Sequence, residues 1–303
     1  MLKSESIKLN YGIKVDIDKN KISQRVNLNK RVKYVFALST VFVMIVLVVL
    51  LYDIVRDSIG WLNVEFLTKN LSIFPEKAGI KGAILGTLYL MIIVIPVTLI
   101  LGVATAVYIE EYAKDGFLQR LIRINISNLA SVPSVIFGLL GLTFFSRVLG
   151  LGSSILAGGL TMSLLVLPIV VVAAQESLKS VPLFLREASY GMGADKWTTI
   201  WRVVFPVALP GILTGAILAI SRAIGETAPL VVLGIPTLIL KIPTTIMDDF
   251  TALPIQIYYW TLDTVLTPEY AYLAAATIVV LLATLFLLNL SAIIIRNKFQ
   301  KKL

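Results

Sequence analysis

The sequence predicts an all-α polytopic membrane protein with six transmembrane helices. Three observations point there. The 303 residues are 57% hydrophobic and only 15% charged, with a mean hydropathy of +0.89, a balance that fits a chain spending most of its length in lipid. Six segments, 34–52, 82–109, 128–149, 154–174, 209–234 and 271–295, are apolar over a length close to the roughly 20 residues that span a bilayer core. The basic residues between them divide unevenly, as they do across a membrane.

The first segment follows Lys30, Arg31 and Lys33. It is too long for the apolar region of a signal peptide, and no small-residue cleavage site follows it, so it reads as a retained span. With the N-terminus inside, segments 1–33, 110–127, 175–208 and 296–303 hold 20 of the 27 basic residues. The outer side receives Arg56, Lys69, Lys77, Lys81, Arg147 and Lys241, and Arg222 is left within a span. Both termini are therefore expected inside. Tyr258, Tyr259 and Trp260 suit an outer interfacial belt. The expected organisation is a basic cytoplasmic tail at 1–33, a six-helix domain at 34–296 that contains an inner loop at 175–208, and a cytoplasmic tail at 297–303. The first tail reads as solvated, with a short strand the alternative because Ile13, Val15 and Ile17 alternate with polar residues.

Small residues mark where helices touch. Gly82 and Gly86 form a G-x-x-x-G, and Ser131, Ser134, Gly138 and Gly141 form a row in the third segment. Packing explains these rows, and a pathway-lining role for Ser131 and Ser134 is the functional alternative.

Composition also excludes chemistry. With no Cys and no His, thiol catalysis, His general bases and His-based zinc sites drop out. No phosphate-cradling G-x-x-x-x-G-K-[ST] occurs. The net charge of +9 reads as basic inner loops facing membrane lipid, not as nucleic-acid binding.

The fifth segment carries two charges in "SRAIGETAPL", Arg222 and Glu226. At about 100° per residue, Gly211, Ala219, Arg222 and Glu226 all lie within about 40° of Gly215, on one small-residue stripe. Arg222 and Glu226 are also i,i+4 neighbours able to pair. A charge at mid-bilayer costs about 2.5–3.5 kcal/mol, so an intramembrane ion pair is a functional hypothesis by default. A guanidinium fork fits phosphate or carboxylate, and a neighbouring carboxylate weakens its grip enough for release. The pair, with Thr227 beside it, suits an anion pathway. A buried pair that only fixes packing is the alternative.

The segment 175–208 is too polar to span. Ser180 and Pro182 resemble a helix start, Gly191 and Gly193 a stop, and Asp195 a cap for a second helix carrying Trp197, Ile200, Trp201 and Val204. Phe184, Ala188 and Met192 form one apolar row, suited to a partner's groove. Here "EASYGMGADKWTTIWRVVFP" resembles the EAA loop of ABC-importer permeases, whose pattern is Glu-Ala-Ala, three residues, Gly, nine residues, Ile-x-Leu-Pro. This chain offers Glu187, Ala188, Ser189, Gly193, Val203, Phe205 and Pro206, so Ser189, Val203 and Phe205 depart conservatively. Within that family, "SRAIGETAPLVVLG" resembles the phosphate-importer permeases. Gly-Glu-Thr followed by Ala-Pro looks like the PstA type, whereas the PstC type usually has Met-Ala there. "ASVPSVIFGLLGL" and "TALPIQIYYW" look like further pieces of the subfamily, and the likeness runs from about residue 80 onward.

The resemblance implies a type I ABC-importer permease (MetI-like) fold in the plasma (inner) membrane of a bacterium or archaeon. It implies a non-catalytic subunit carrying inorganic phosphate, coupled through Glu187, Ala188, Ser189, Gly193 and Pro206. It also implies a PstC-type second permease as heterodimer partner, PstB-type ATPase subunits that hydrolyse the ATP, and an external PstS-type phosphate-binding protein. No cofactor is expected in this chain. A stand-alone anion transporter or channel would need its own coupling-ion site, and the spans offer only Arg222 and Glu226.

Overall fold

A computed structural model describes residues 5–8, 14–17, 19–114, 116–236, 239 and 242–299. The expectations resting on Ile13, Lys241 and residues 300–303 lie outside them. The chain divides into two units, 1–56 and 57–303.

The first unit holds two strands, β1 (Glu5–Lys8) and β2 (Lys14–Ile17), and most of helix α1 (Lys19–Ser58). The strands pair antiparallel with Glu5 opposite Ile17 and Ile7 opposite Val15. Within the tail expected to be solvated and partly disordered, the described residues thus form two paired strands and the start of α1, and the alternation at Val15 and Ile17 is the pattern the second strand uses. α1 contains no Gly or Pro over its 40 residues, so nothing interrupts the ladder. Its hydroxyls do not break it either: Ser39 donates to Val35 O at 2.9 Å and Thr40 to Phe36 O at 3.0 Å, which satisfies polar groups that lipid cannot.

The regular elements described in the second unit are helices, joined by loops that include one isolated bridge between Ser154 and Asp249. Short α2 (Val64–Thr68) is capped by Asn63, whose side chain accepts from Phe66 N at 2.8 Å. Four long helical stretches follow. They are α3 (Lys81–Val107) prolonged by a π turn at Tyr108–Tyr112, α6 (Ile155–Lys179), α8 (Lys196–Thr199) running through a π turn into α9 (Phe205–Gly225), and α12 (Tyr270–Phe299). Between them lie α4 (Phe117–Leu129), α5 (Ser134–Leu140) with a π turn to Val148, α7 (Leu183–Gly191), α10 (Ala228–Leu233) and α11 (Leu253–Asp263).

α6 is central and the most buried span. It is apolar all round, as a helix enclosed by others must be. Gly159 lets Ile93 of α3 approach, Gly158 admits the Phe250 ring, and Gly102 of α3 lies against Val170. Of the predicted G-x-x-x-G, Gly86 packs against the Thr251 carbonyl, whereas Gly82 is buried with open space where a Cβ would point. Phe250 and Leu90 pack with Met162 and Leu230 in one cluster, and Ala106, Ala174, Ile200 and Ile212 in another towards the far ends of α3 and α6.

Two of the six predicted segments are not single rods. The third breaks at Ala130–Pro133, where α4 and the limb Ser134–Val148 meet at 104°. Pro133 has no N–H to continue the ladder and restricts Val132, so α4 closes with Ser131 N on Asn128 O and α5 opens with Ile136 N on Pro133 O. The fifth starts earlier, at Lys196, ends at Gly225, and resumes only at Ala228. A continuous helix would need Pro229 to donate to the Gly225 carbonyl, which it cannot.

Candidate substrate pathway and coupling loop

The break at Glu226 reshapes the predicted charge pair. Glu226 caps α9 in extended geometry (φ −74, ψ 124) instead of continuing the helix, so helical spacing does not place it. The two side chains still meet, with Arg222 Nε donating to Glu226 Oε1 at 3.3 Å. The stripe also divides. Gly211, Gly215 and Ala219 face α6, the glycines lying against Ser177 and Ala173. Arg222 instead sits on the open face beside Leu218, with 58% of its side chain exposed against 19% for Glu226. An arginine on an open face within an apolar span must meet water or another chain, because hydrocarbon would charge it the full insertion cost.

Thr227 is half-buried and precedes α10. α10 packs on α5 where Gly138 meets Pro229 and Val232, so the short apolar helices that follow the two breaks lie against each other. Ser134 is half-buried in the first turn of α5 and Ser131 is exposed in the turn before it. Ser131 is therefore not on the predicted helical row with Gly138 and Gly141, because Pro133 separates them. Next to Arg222, Ser221 Oγ lies 2.6 Å from Asn289 Oδ1 of α12, and Arg296 Nη1 donates to Thr214 Oγ1 at 3.2 Å. These contacts between α9 and α12 escaped the sequence reading, although a lone Asn in the apolar run 271–295 was the available signal.

The inner loop matches its pattern closely. α7 ends in a turn built by Met192 N on Ala188 O, Gly193 N on Tyr190 O and Ala194 N on Ser189 O. Gly193 adopts φ +83, which only glycine takes without strain. Asp195 accepts from Thr198 N at 3.0 Å and starts α8 as expected; the Thr198 side chain first, and its backbone N–H second, hold the carboxyl below its ordinary value. Ser180 ends α6 instead of starting α7, which Pro182 does. Ser189 Oγ lies 2.9 Å from Thr199 Oγ1, joining α7 to α8. Pro206 is accommodated by the π turn before it, where Phe205 N reaches back to Ile200 O. Glu187, Phe184, Ala188 and Met192 are all exposed, Met192 by 89%.

Charged residues the sequence reading passed over anchor this loop. Glu110 and Glu111 occupy the π turn after α3. Glu111 Oε1 accepts from Arg186 Nη2 of α7 at 2.9 Å. Arg123 Nη2 of α4 lies 3.0 Å from Glu110 Oε1, off the hydrogen-bonding direction, with Lys179 Nζ of α6 at 4.0 Å. Lys196 Nζ sits 5.0 Å above the Tyr112 ring. Arg186 and Glu111 lie 75 residues apart in sequence, and the other partners also sit on separate elements, so no local pattern reveals them. Among the described residues no cluster of Asp and Glu is arranged to hold a metal.

Apolar spans with a capped amphipathic loop between two of them make this a polytopic membrane protein. The family model of the binding-protein-dependent transport system inner membrane component matches residues 98–302, and the chain belongs to that family. Relatives include the phosphate transport system permease protein PstA 1 of Mycobacterium tuberculosis, 37% identical over 273 residues and covering 86% of each chain. The probable ABC transporter permease protein YqgI of Bacillus subtilis is 34% identical over 195 residues, 64% of this chain and 66% of that one. Among solved structures, the inward-facing MetNI methionine ABC transporter has a chain that matches with a TM-score of 0.58 at 18% identity, over 73% of this chain and 96% of that one. The likeness fixes the fold as that of an ABC-importer permease.

Proposed function

We propose that this chain is a PstA-type permease subunit of an ATP-driven importer of inorganic phosphate. The observation that carries the reading is the family match over 98–302, which contains both the inner loop and the Arg222–Glu226 break, joined to the 37% identity with a permease named for phosphate transport. The geometry supports it. Arg222 offers a guanidinium on an open face where a dianion can meet it, and Glu226 offsets part of its charge. Thr227, Ser131 and Ser134 are the neutral polar groups we assign to the same pathway. The exposed row Phe184, Ala188 and Met192, followed by the Gly193 turn, suits the groove of a separate ATPase, with Glu187, Ser189 and Pro206 shaping the loop. A PstC-type second permease completes the pathway, PstB-type ATPases supply the energy, and a PstS-type protein delivers phosphate from outside. The segments 1–33 and 297–303, which flank a membrane domain at 34–296, and the loop 175–208 within that domain then face the cytoplasm.

Co-purification from native membranes, followed by reconstitution and assay of phosphate-stimulated ATP hydrolysis, tests the reading. The expected complex contains an ATPase whose inactivation abolishes phosphate uptake. Uptake that persists with the ATPase disabled would make the chain a stand-alone transporter. Orientation is checked on Met192→Cys in this naturally Cys-free chain, where an impermeant thiol reagent should label only opened cells.

A further inference from the structure

α7 is a helix of nine residues, none of them buried, held between Pro182 and a glycine turn. A helix so lightly packed would pivot under load instead of carrying its neighbours with it. Ser189 ties it to α8, and one charged side chain ties it to the spans behind. Arg186 turns away from the exposed row and is only 17% exposed. Its Nη1 donates to Val181 O at 2.7 Å, and its Nη2 donates to Leu178 O at 2.9 Å and to Glu111 Oε1 at 2.9 Å. The two carbonyls belong to the last turn of α6 and the residues just after it, where orphan acceptors need donors. Glu111, 8% exposed, belongs to the end of α3. A single planar fork thus joins α3, α6 and α7 at three fixed points, which resists rotation as one flexible contact does not. Beside it, Glu110 draws Arg123 and Lys179 to the same turn.

We propose that Arg186 is a positioning residue, the latch through which movement of α7 is passed to α3 and α6. The proposal rests on the reading of α7 as the ATPase-docking helix. α3 and α6 are packed along their lengths through Gly102 and Gly159, so a displacement delivered at Arg186 moves both spans as a block. The latch lies on the opposite side of α7 from the docking row, so docking and transmission are separable by mutation.

The test uses the complete complex in proteoliposomes, with inorganic phosphate outside and ATP on the ATPase side, reading phosphate transported per ATP hydrolysed. Glu111→Gln combined with Arg186→Gln removes the latch without leaving an unpaired buried charge. It should retain the ATPase at wild-type stoichiometry while transport per ATP falls by about ten-fold or more. Arg186→Lys keeps the charge and loses the fork, and should fall between the double variant and wild type. A wild-type ratio in the double variant would overturn the proposal. So would uptake that declines only in step with lost ATPase, which would make Arg186 an assembly element. Phe184→Asp tests the underlying reading separately. It should strip the ATPase from the complex, and an ATPase still bound at wild-type level would remove the docking role and the latch with it.

Discussion

Arg186–Glu111 and Arg222–Glu226 are chemically the same pair placed in opposite circumstances. The first is mostly buried, bonded at 2.9 Å, and its guanidinium has two further carbonyl partners. The second is open on its arginine side and meets through one 3.3 Å contact. A third pair, Lys69–Glu65, is shorter than either at 2.6 Å, yet both side chains are largely in solvent. Distance therefore ranks the pairs in nearly the reverse order of what they hold together. What matters is what each charge loses when its partner goes: a buried guanidinium loses almost everything, whereas an exposed ammonium loses little because water replaces the carboxylate. The buried pair is a clamp, and the half-open one has spare capacity for a ligand.

Breaking the clamp should have the largest effect on stability. Glu111→Ala leaves Arg186 charged in a nearly closed site, and removal of one partner of a buried pair costs about 3–5 kcal/mol. Thermal unfolding in detergent should show a markedly lower midpoint than for the neutral double variant described above. Equal midpoints would mean that Arg186 is wetter than its environment indicates.

At the open pair the loss should fall on transport and not on stability. Arg222→Gln removes the fork and leaves Glu226 to repel an anion, a mismatch of a few kcal/mol that lowers uptake by about two orders of magnitude. Glu226→Gln leaves Arg222 unopposed, so phosphate should bind more tightly and leave more slowly. The variant with both changes restores neutrality without the fork, and should insert well and transport poorly. Phosphate uptake at matched membrane abundance decides it, and wild-type uptake in the double variant would make this pair scaffolding like the other.

A smaller change is expected where backbone alone is at stake. Gly193 sits at φ +83 with open space where a Cβ would point. Gly193→Val therefore costs strain and not a clash, about 1–3 kcal/mol. Coupled uptake should fall while the protein stays in the membrane, and Gly193→Asn, which tolerates this backbone region better, should fall less.

The loop was legible because its structure is local. Pro182, Gly193 and Asp195 act within a few residues of themselves, and caps and turns carry that information in sequence. The two breaks were harder to read. Apolar composition resumes in "VVLG" soon after "LPGILTGAILAI", with only the short "SRAIGETAPL" between them, and a hydropathy window does not register a lost hydrogen bond. The signals were Pro133 and Pro229, each of which denies a donor to the turn before it. Arg222 shares the angular position of Gly211 and Gly215 but lies further along, in the last turn of α9, where Ala219, Ala223 and Ile224 are the buried positions. The clamp was out of reach, since nothing near Arg186 in sequence announces Glu111.

The exposed pair Lys69–Glu65 should show the least effect and sharpens the comparison most cheaply. Lys69 hydrogen-bonds the Glu65 carboxylate and holds its pKa below the ordinary glutamate value. A lowered carboxylate pKa favours the folded state above the unfolded value and loses that contribution as pH falls through the folded one. Any stabilisation is thus present at neutral pH and disappears only in acid. Both side chains are already hydrated, at 48% and 73% exposure, so the ordering of two long chains offsets most of the attraction. Glu65→Gln should leave the unfolding midpoint at neutral pH unchanged within error and flatten slightly its decline below about pH 4.5. A drop comparable to that of Glu111→Ala would show that proximity, and not burial, sets the worth of these pairs, and would undo the distinction between clamp and pathway.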